Sequence, residues 1–510
     1  MKSLSVVPRT VADLLWNVAA AADDRPAIAM TGQTVTYRQL RNRASSVAAT
    51  LVDRGLESGD RVAILAERGP QSVAAYFGAL AAGAVVIVVN ERLRPRQIEY
   101  ILDRVGARVL LASREILAEH PRSLDTKAAL IDLATIPDAT VEWTPVQPDA
   151  RGLAQIIFTS GSTGLPKGVV FSHRAILAAI EMIVGYLGLG GDERIFSLLP
   201  LSSVYGLNQL LCAMWTNSTL VISNSSLAAK IVSEARDQRV TVLAGVPPLW
   251  LQLLATPAFR AAPIESLRIL QNAGGHLPVE AVRQLRAAQP HAQLFLQYGM
   301  TETFRSTFLA PEEVDSHPGS MGREVPGATI SIVADDGRPS APGEPGELVF
   351  CGPTIAEGYW GDDETTAGTF RSAGDGGVTR AVYSGDIVRR DADGLLYYVA
   401  RRDRMIKSLG FRIGPDEIAD VLYASGDVLE TAITTEPDPV RGERIIAYVV
   451  LRPGCSKQHL EQFVRFELPR HMQPARIEAR TDLPRLASGK YDIGTLRNGL
   501  SEALPAYASV

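Results

Sequence analysis

Thr159-Ser160-Gly161-Ser162-Thr163-Gly164-Leu165-Pro166-Lys167-Gly168 follows the apolar run Ala154 to Phe158 and precedes Val169-Val170-Phe171. Two short apolar runs around a glycine- and hydroxyl-rich segment read as strand, loop, strand. Within the loop, glycines let backbone amides approach an anion, the hydroxyls of Thr159, Ser160, Ser162 and Thr163 can donate to phosphate oxygens, and Lys167 adds charge. Pro166 stands where a Walker A loop requires the glycine before its lysine, so that loop type is excluded. The stretch predicts a phosphate-binding loop of another kind, with Gly161 and Gly164 allowing the close approach.

Upstream, Val62-Ala63-Ile64-Leu65, Val85 to Val89 and Val109-Leu110-Leu111 read as strands with helical patterns between them. This βαβ rhythm predicts a parallel sheet covered by helices. A weak repeat extends it: Ala79 to Asn90 lines up with Ala213 to Asn224, placing Gly83 on Asn217, the two residue types that best tolerate a left-handed helix cap. With a one-residue shift, Ile98 to Leu111 lines up with Ile231 to Ala244, so two similar αβ lobes in tandem are expected. After about Pro311, glycine-punctuated short strands such as Glu347-Leu348-Val349-Phe350 predict a β-rich subdomain. The charged run Arg401-Arg402-Asp403-Arg404 then precedes a segment of α+β character. The expected fold is α/β: a large N-terminal domain over residues 1–402 with two tandem αβ lobes and a β-rich subdomain, and a small α+β C-terminal domain over 403–510 joined by a hinge.

Bulk properties agree with this and remove other classes. A chain of 510 residues exceeds one hydrophobic core, and 46% apolar with 21% charged residues is globular composition. A net charge of −5 gives no general attraction for nucleic acid. Val73 to Val89 and Leu198 to Trp215 are uncharged, but the first is short and broken by Gly83 and the second carries Ser202, Ser203, Asn208 and Gln209, so neither reads as a membrane span. Cys212, Cys351 and Cys455 show no zinc or disulfide spacing, and the first residues lack a secretory pattern; a reduced cytoplasm is expected.

Further motifs follow the loop in order: Tyr298-Gly299-Met300-Thr301-Glu302-Thr303, Gly346-Glu347-Leu348, Tyr383-Ser384-Gly385-Asp386, Arg401-Arg402-Asp403, Gly410-Phe411-Arg412 and Ser488-Gly489-Lys490. Together they resemble the adenylate-forming (ANL) superfamily: acyl-CoA synthetases, 4-coumarate ligase-like enzymes, peptide-synthetase adenylation domains and firefly-type luciferases. The resemblance covers nearly the whole chain. It implies that a carboxylate attacks the α-phosphorus of ATP and expels pyrophosphate, a step whose developing charge needs fixed donors and a metal. By the resemblance, Thr301 bonds the α-phosphate and Glu302 holds Mg²⁺. Tyr298 and Gly274 belong to the nucleotide site, Asp386 accepts from the ribose hydroxyls, and Arg401 supports ribose or phosphate. Lys490 bridges the substrate carboxylate and the α-phosphate. Asp403 is the hinge pivot, and the Gly410 loop faces the incoming thiol. His173, just after the loop, is either functional or structural.

Departures matter as well. Pro200-Leu201-Ser202-Ser203 matches a family segment that commonly ends in histidine, so Ser203 stands where that residue gates the thiol channel. Leu296 and Gln297 replace a more usual Gln-Gly pair. The acid pocket is expected from Ser203, Val204, Tyr205, Asn208, Val246, Trp250, Asn272 and Gly275. No Asp or Glu lies between Glu193 and Glu234 to pair with an α-ammonium, which argues against an amino acid and for a neutral fatty, branched or aryl acid.

The expected activity is ATP-dependent activation of a carboxylic acid to its acyl-adenylate, then transfer to the thiol of CoA or of a carrier-protein phosphopantetheine. An amine-accepting adenylation enzyme and luciferase-type oxidation are alternatives within the superfamily. A catalytically silent ATP/AMP-binding regulator is the alternative outside enzymology; loss of Lys490, Glu302 or Asp386 would mark it, and all three are present.

Overall fold

Gly83 and Asn217 show how the chain builds one unit twice. Helix Pro70–Ala81 gives way at Gly83, in the left-handed region with φ 86°, to strand Val85–Val88. Helix Val204–Thr216 ends at Asn217, φ 59° and ψ 31°, before strand Thr219–Ile222. Each strand then takes the same place in its own sheet. Val85–Val88 runs parallel to Arg61–Leu65, itself parallel to Val109–Ala112. Thr219–Ile222 runs parallel to Arg194–Ser197, itself parallel to Val242–Gly245. The connecting helices Pro95–Val105 and Ala228–Asp237 correspond too. The tandem lobes expected from the repeat are present.

The computed structural model describes residues 7–119, 124–138, 141–147, 152–159, 166–373, 379–408, 411–438, 442–486 and 490–498. Among these, the first lobe's sheet has seven strands and the second lobe's nine. The two are interlocked. The N-terminal hairpin Pro26–Met30 and Gln33–Thr36 joins the second lobe beside Thr219–Ile222, and Gly358–Tyr359 returns to the first lobe on Lys167–Ser172. Helices Tyr37–Asp53, Pro70–Ala81, His173–Leu187 and Val204–Thr216 contribute to one hydrophobic cluster shared by both lobes. Pro70–Ala81 is buried along almost its whole length, which explains its uncharged sequence as core. Among the described residues no helix is long and apolar enough to cross a membrane.

The β-rich subdomain is an antiparallel sheet of Thr329–Val333, Gly346–Cys351, Arg380–Arg390 and Phe370–Ser372, with Leu396–Arg401 also on Arg380–Arg390. The small C-terminal domain is a second mixed sheet. Gly442–Leu451 pairs antiparallel with Val428–Asp438 and parallel with Arg476–Ala479, and helices Pro415–Ala424 and Lys457–Glu467 share the apolar cluster around these strands. Its core also receives Leu251 from the second lobe.

Candidate active site

Val242–Gly245, Ile269–Asn272 and Gln293–Tyr298 lie side by side and parallel. Their carboxyl ends and the segments leaving them carry Val246, Asn272, Gly274, Gly275, Tyr298, Thr301 and Glu302, and it is there that open α/β sheets bind ligands. Tyr298 ends the third strand. Its hydroxyl donates to Asp386 Oδ2 at 2.5 Å, and its ring lies 6.4 Å from that of Tyr398. Asp386 faces Arg401 across the Arg380–Arg390/Leu396–Arg401 ladder, with Arg401 Nε 3.7 Å from Oδ1.

Asp386 is the centre of the arrangement. It is buried, and its Oδ1 accepts no hydrogen bond. Burial pushes its carboxyl up, while the Tyr298 hydroxyl and the charges of Arg401 and Lys490 pull it down. Burial also raises the Tyr298 phenol, and Asp386 adds to the effect. Lys490 keeps an exposed surface yet stands in a cleft crowded by protein. Desolvation there holds its ammonium below the ordinary lysine value, with Arg404 acting in the same sense and Asp386 against it. An open acceptor, a cation from each side and an aromatic ring thus converge on one carboxylate.

Thr301 and Glu302 occupy the short 3-10 turn after Gly299-Met300. Tyr359 donates to Glu302 Oε1 at 2.6 Å, and Lys167 Nζ lies 5.7 Å from the centre of the Tyr359 ring. Lys167 also donates to Thr365 Oγ1 at 3.0 Å and stands 3.9 Å from Asp362. Tyr359 therefore links the root of the phosphate loop to Glu302. A cavity of about 220 Å³ opens beside this root, lined in part by Arg104, Lys167 and Asp362. Thr159 sits opposite Lys167 in the hairpin register. Ser160, Gly161, Ser162, Thr163, Gly164 and Gly410 lie outside the described residues.

The expected pocket segments meet. Tyr205 donates from its hydroxyl to the carbonyl of Gln271 at 2.8 Å, and Asn272 Nδ2 reaches the Gly275 carbonyl at 3.5 Å. A Cβ on Gly274 would stand 3.2 Å from Val246 Cγ1, and one on Gly275 would stand 3.2 Å from Pro247 Cγ. Asn208 is buried, and neither its Oδ1 nor its Nδ2 has a partner. Val204 opens the helix that Ser203 caps: Ser203 Oγ accepts from Gly206 N at 3.0 Å and donates to the Pro200 carbonyl at 2.9 Å. Trp250 differs from expectation. It is fully buried in the second lobe's core against Gly245, because its helix Pro247–Ala255 turns Pro248, Trp250, Leu253 and Leu254 inward. His173 is also buried and structural. It accepts from Val11 N at 3.1 Å, and burial lowers its pKa to about 4.

Several contacts were not named by the motifs. Arg402 pairs with Glu347 at 3.1 Å, and Glu347 also accepts from Gly385 N at 2.8 Å. Gly346-Glu347-Leu348 thereby holds both the Asp386 turn and the charged run. His276 Nε2 meets both oxygens of Asp420, at 2.9 and 3.0 Å, joining the second lobe to the C-terminal domain. Glu347, Gly385 and Arg402 lay in recognised motifs, whereas His276 and Asp420 lay in none.

The two lobes, the β-rich subdomain, the docked C-terminal domain and the cleft at Asp386 define an adenylate-forming enzyme. The chain belongs to the AMP-binding enzyme family, matching it over residues 15–360, with the AMP-binding enzyme C-terminal domain over 417–490. It is 30% identical to a long-chain-fatty-acid–CoA ligase of Salmonella typhimurium, over 94% of this chain and 93% of that one. It is 31% identical to a feruloyl-CoA synthase of Amycolatopsis sp., over 91% and 94%. An anthranilate CoA ligase solved with anthranoyl-AMP superposes with a TM-score of 0.89 at 25% identity, covering 98% of this chain and 99% of that one. The protein is an AMP-forming acid–CoA ligase: it uses ATP to activate a carboxylic acid as acyl-adenylate and then forms a thioester with CoA.

Proposed function

We propose that ATP binds across the carboxyl ends of the second lobe's strands, with its ribose on Asp386. The observation that carries this reading is the buried, unpartnered Oδ1 of Asp386 beside Arg401, Tyr298 and Lys490. A ribose hydroxyl gives that oxygen the donor it lacks, which offsets the cost of burying it. Tyr298 and Gly274 flank the base, and the phosphates run toward Thr301, Lys167 and the 159–164 loop. Lys490 meets the acid carboxylate and the α-phosphate as charge builds there.

Glu302 suits Mg²⁺, which takes one or two carboxylates and completes its shell with phosphates and water. Among the described residues no cluster of three His, Cys, Asp or Glu could hold a metal by itself. The ion would supply charge compensation to the phosphates, and Tyr359 orients the carboxylate that holds it.

The domain boundary falls between Arg402 and Asp403, with Asp403 as pivot and the Gly410 loop as the face presented to the thiol in the second half-reaction. The acid enters between Val204–Asn208, Val246 and Asn272–Gly275, a lining that offers no carboxylate to an α-ammonium. CoA is the acceptor, a carrier-protein phosphopantetheine being the same thiol chemistry on a larger partner. Cys212, Cys351 and Cys455, without a zinc or disulfide-framework spacing, fit a reducing cytoplasm. Pyrophosphate exchange into ATP, measured over a panel of carboxylic acids with Mg²⁺, tests the reading. Exchange that depends on one acid class is the expected result. No exchange, from folded protein that binds ATP, contradicts it.

A further inference from the structure

Directly after Glu302 the backbone makes a tight, strained turn. Phe304 has φ 62° and ψ −60°, and Arg305 N donates to the Thr303 carbonyl at 2.7 Å. A γ-turn of this hand is rare in a non-glycine residue and persists only where surroundings impose it. Here the Phe304 ring packs edge-on against Phe171, with centroids 5.0 Å apart, and Thr354 bonds the Thr303 carbonyl at 2.8 Å. Gly299 lets the turn fold back, since a Cβ there would stand 2.9 Å from Arg305 Cα.

The turn delivers Arg305 into the region of the acid pocket. Its guanidinium lies over Tyr205, 4.9 Å from the ring centre. Arg305 is 2% exposed, its Nε has no partner, and among the described residues no carboxylate pairs with it. Its ionisable neighbours Tyr186, Tyr205 and Cys212 are neutral, because burial raises all three, Tyr186 and Cys212 each to about 12. A cation–π contact is worth far less than burying an unpaired charge costs. Further acceptors and donors stand idle nearby in the chain. Gln297 donates to the Tyr186 hydroxyl at 2.9 Å but leaves its Oε1 free, and Asn208, one turn beyond Tyr205, uses neither amide atom.

We propose that Arg305 is the specificity residue of the acid pocket and receives a second anionic group on the substrate, so that the acid activated is a dicarboxylate. This rests on the reading above that Tyr205 and its neighbours line that pocket. The neutral acid expected from the sequence rests on three segments that do not include Arg305. A remote carboxylate supplies the missing counter-charge, and an acid without it leaves the guanidinium buried with only the neutral Tyr186 hydroxyl and the Tyr205 ring beside it.

Pyrophosphate exchange with matched pairs of acids tests this: butyrate against succinate, hexanoate against adipate, benzoate against isophthalate. The wild-type protein should favour the dicarboxylate in at least one pair by on the order of 10² or more in kcat/KM, as a site built around a polar partner rejects the analogue lacking it. Arg305→Met should invert that ratio and Arg305→Lys should keep part of it. Thermal unfolding of Arg305→Met at or above the wild-type midpoint is expected, since an unpaired buried charge is removed; a lowered midpoint with the acid ratio unchanged would show a structural arginine and overturn the proposal. Preference for the monocarboxylate in every pair overturns it as well. Exchange with no acid of either kind overturns the pocket reading beneath it.

Discussion

At the scale of single residues, the proposed reading gives Asp386 and Glu302 different shares in holding ATP. A ribose on Asp386, as proposed, is a part of the nucleotide that does not react, so that contact is equal in ground and transition states. Asp386→Ala should therefore raise the KM for ATP with a much smaller change in kcat. Glu302→Gln should instead lower kcat and raise the Mg²⁺ concentration needed for half-maximal rate. Steady-state kinetics at varied ATP and Mg²⁺ separates the two, and identical profiles would count against both assignments. Asp386, Glu302 and Lys490 could be singled out as candidates because each lies in a short run whose order along the chain resembles the family's. Tyr359 and Arg305 were not. Tyr359 reaches Glu302 from a strand edge in the other lobe, and Arg305 matters through the absence of a partner, which only packing reveals.

At the scale of elements, caps and turns aim these residues. Ser203 replaces the expected gating histidine and ends as the N-cap of Val204–Thr216. Ser203→Ala should cost about 1 kcal/mol in denaturant unfolding, the usual worth of such a cap. Activity loss far beyond that stability loss would give Ser203 a further role in the thiol channel. Gly299→Ala pushes on Arg305 Cα and so on the Thr301-Glu302 turn. It should slow exchange by on the order of 10², the effect of misplacing reacting groups by about 1 Å. Exchange at the wild-type rate would show that the turn gives way without cost. The tandem helix–cap–strand units were readable because Gly83 and Asn217 punctuate both copies locally. The pairing of Pro26–Met30 with Thr219–Ile222, and of Gly358–Tyr359 with Lys167–Ser172, was not readable. Strand partners so far apart in sequence are chosen by the assembled core, and no local pattern records the choice.

At the scale of the whole molecule, one contact that joins the C-terminal domain to the second lobe titrates. His276 lies against Asp420, with Asp416 on the same helix; Asp416 in turn feels Arg404 and Tyr398 feels Asp416. Burial lowers the imidazole's pKa, but the Asp420 hydrogen bond and the charges of Asp420 and Asp416 outweigh it, so the net shift is above 6.5. The docked form binds this proton more tightly than the undocked form. Docking is therefore favoured below the ordinary histidine value and weakens as pH rises through the raised one. Hydrogen exchange of the backbone near residues 402–408 should speed up over that rise, and His276→Gln should flatten the profile. A wild-type profile as flat as the variant's would remove His276 from the account.

The docked arrangement sets Lys490 near Asp386, while Arg401 and Arg402 tie the charged run to Asp403 and Glu347. On the reading proposed above, lysine and incoming thiol need the same face of the adenylate, so one cleft serves two steps only if the C-terminal domain turns between them. Restricting φ with Asp403→Pro should spare adenylation and block thioester formation. The most direct test is Lys490→Ala assayed in each half-reaction separately. Adenylate formation should fall by on the order of 10²–10³ or more, the loss of a transition-state donor, while supplied acyl-adenylate is still converted to the CoA thioester. Equal damage to both steps would contradict the account.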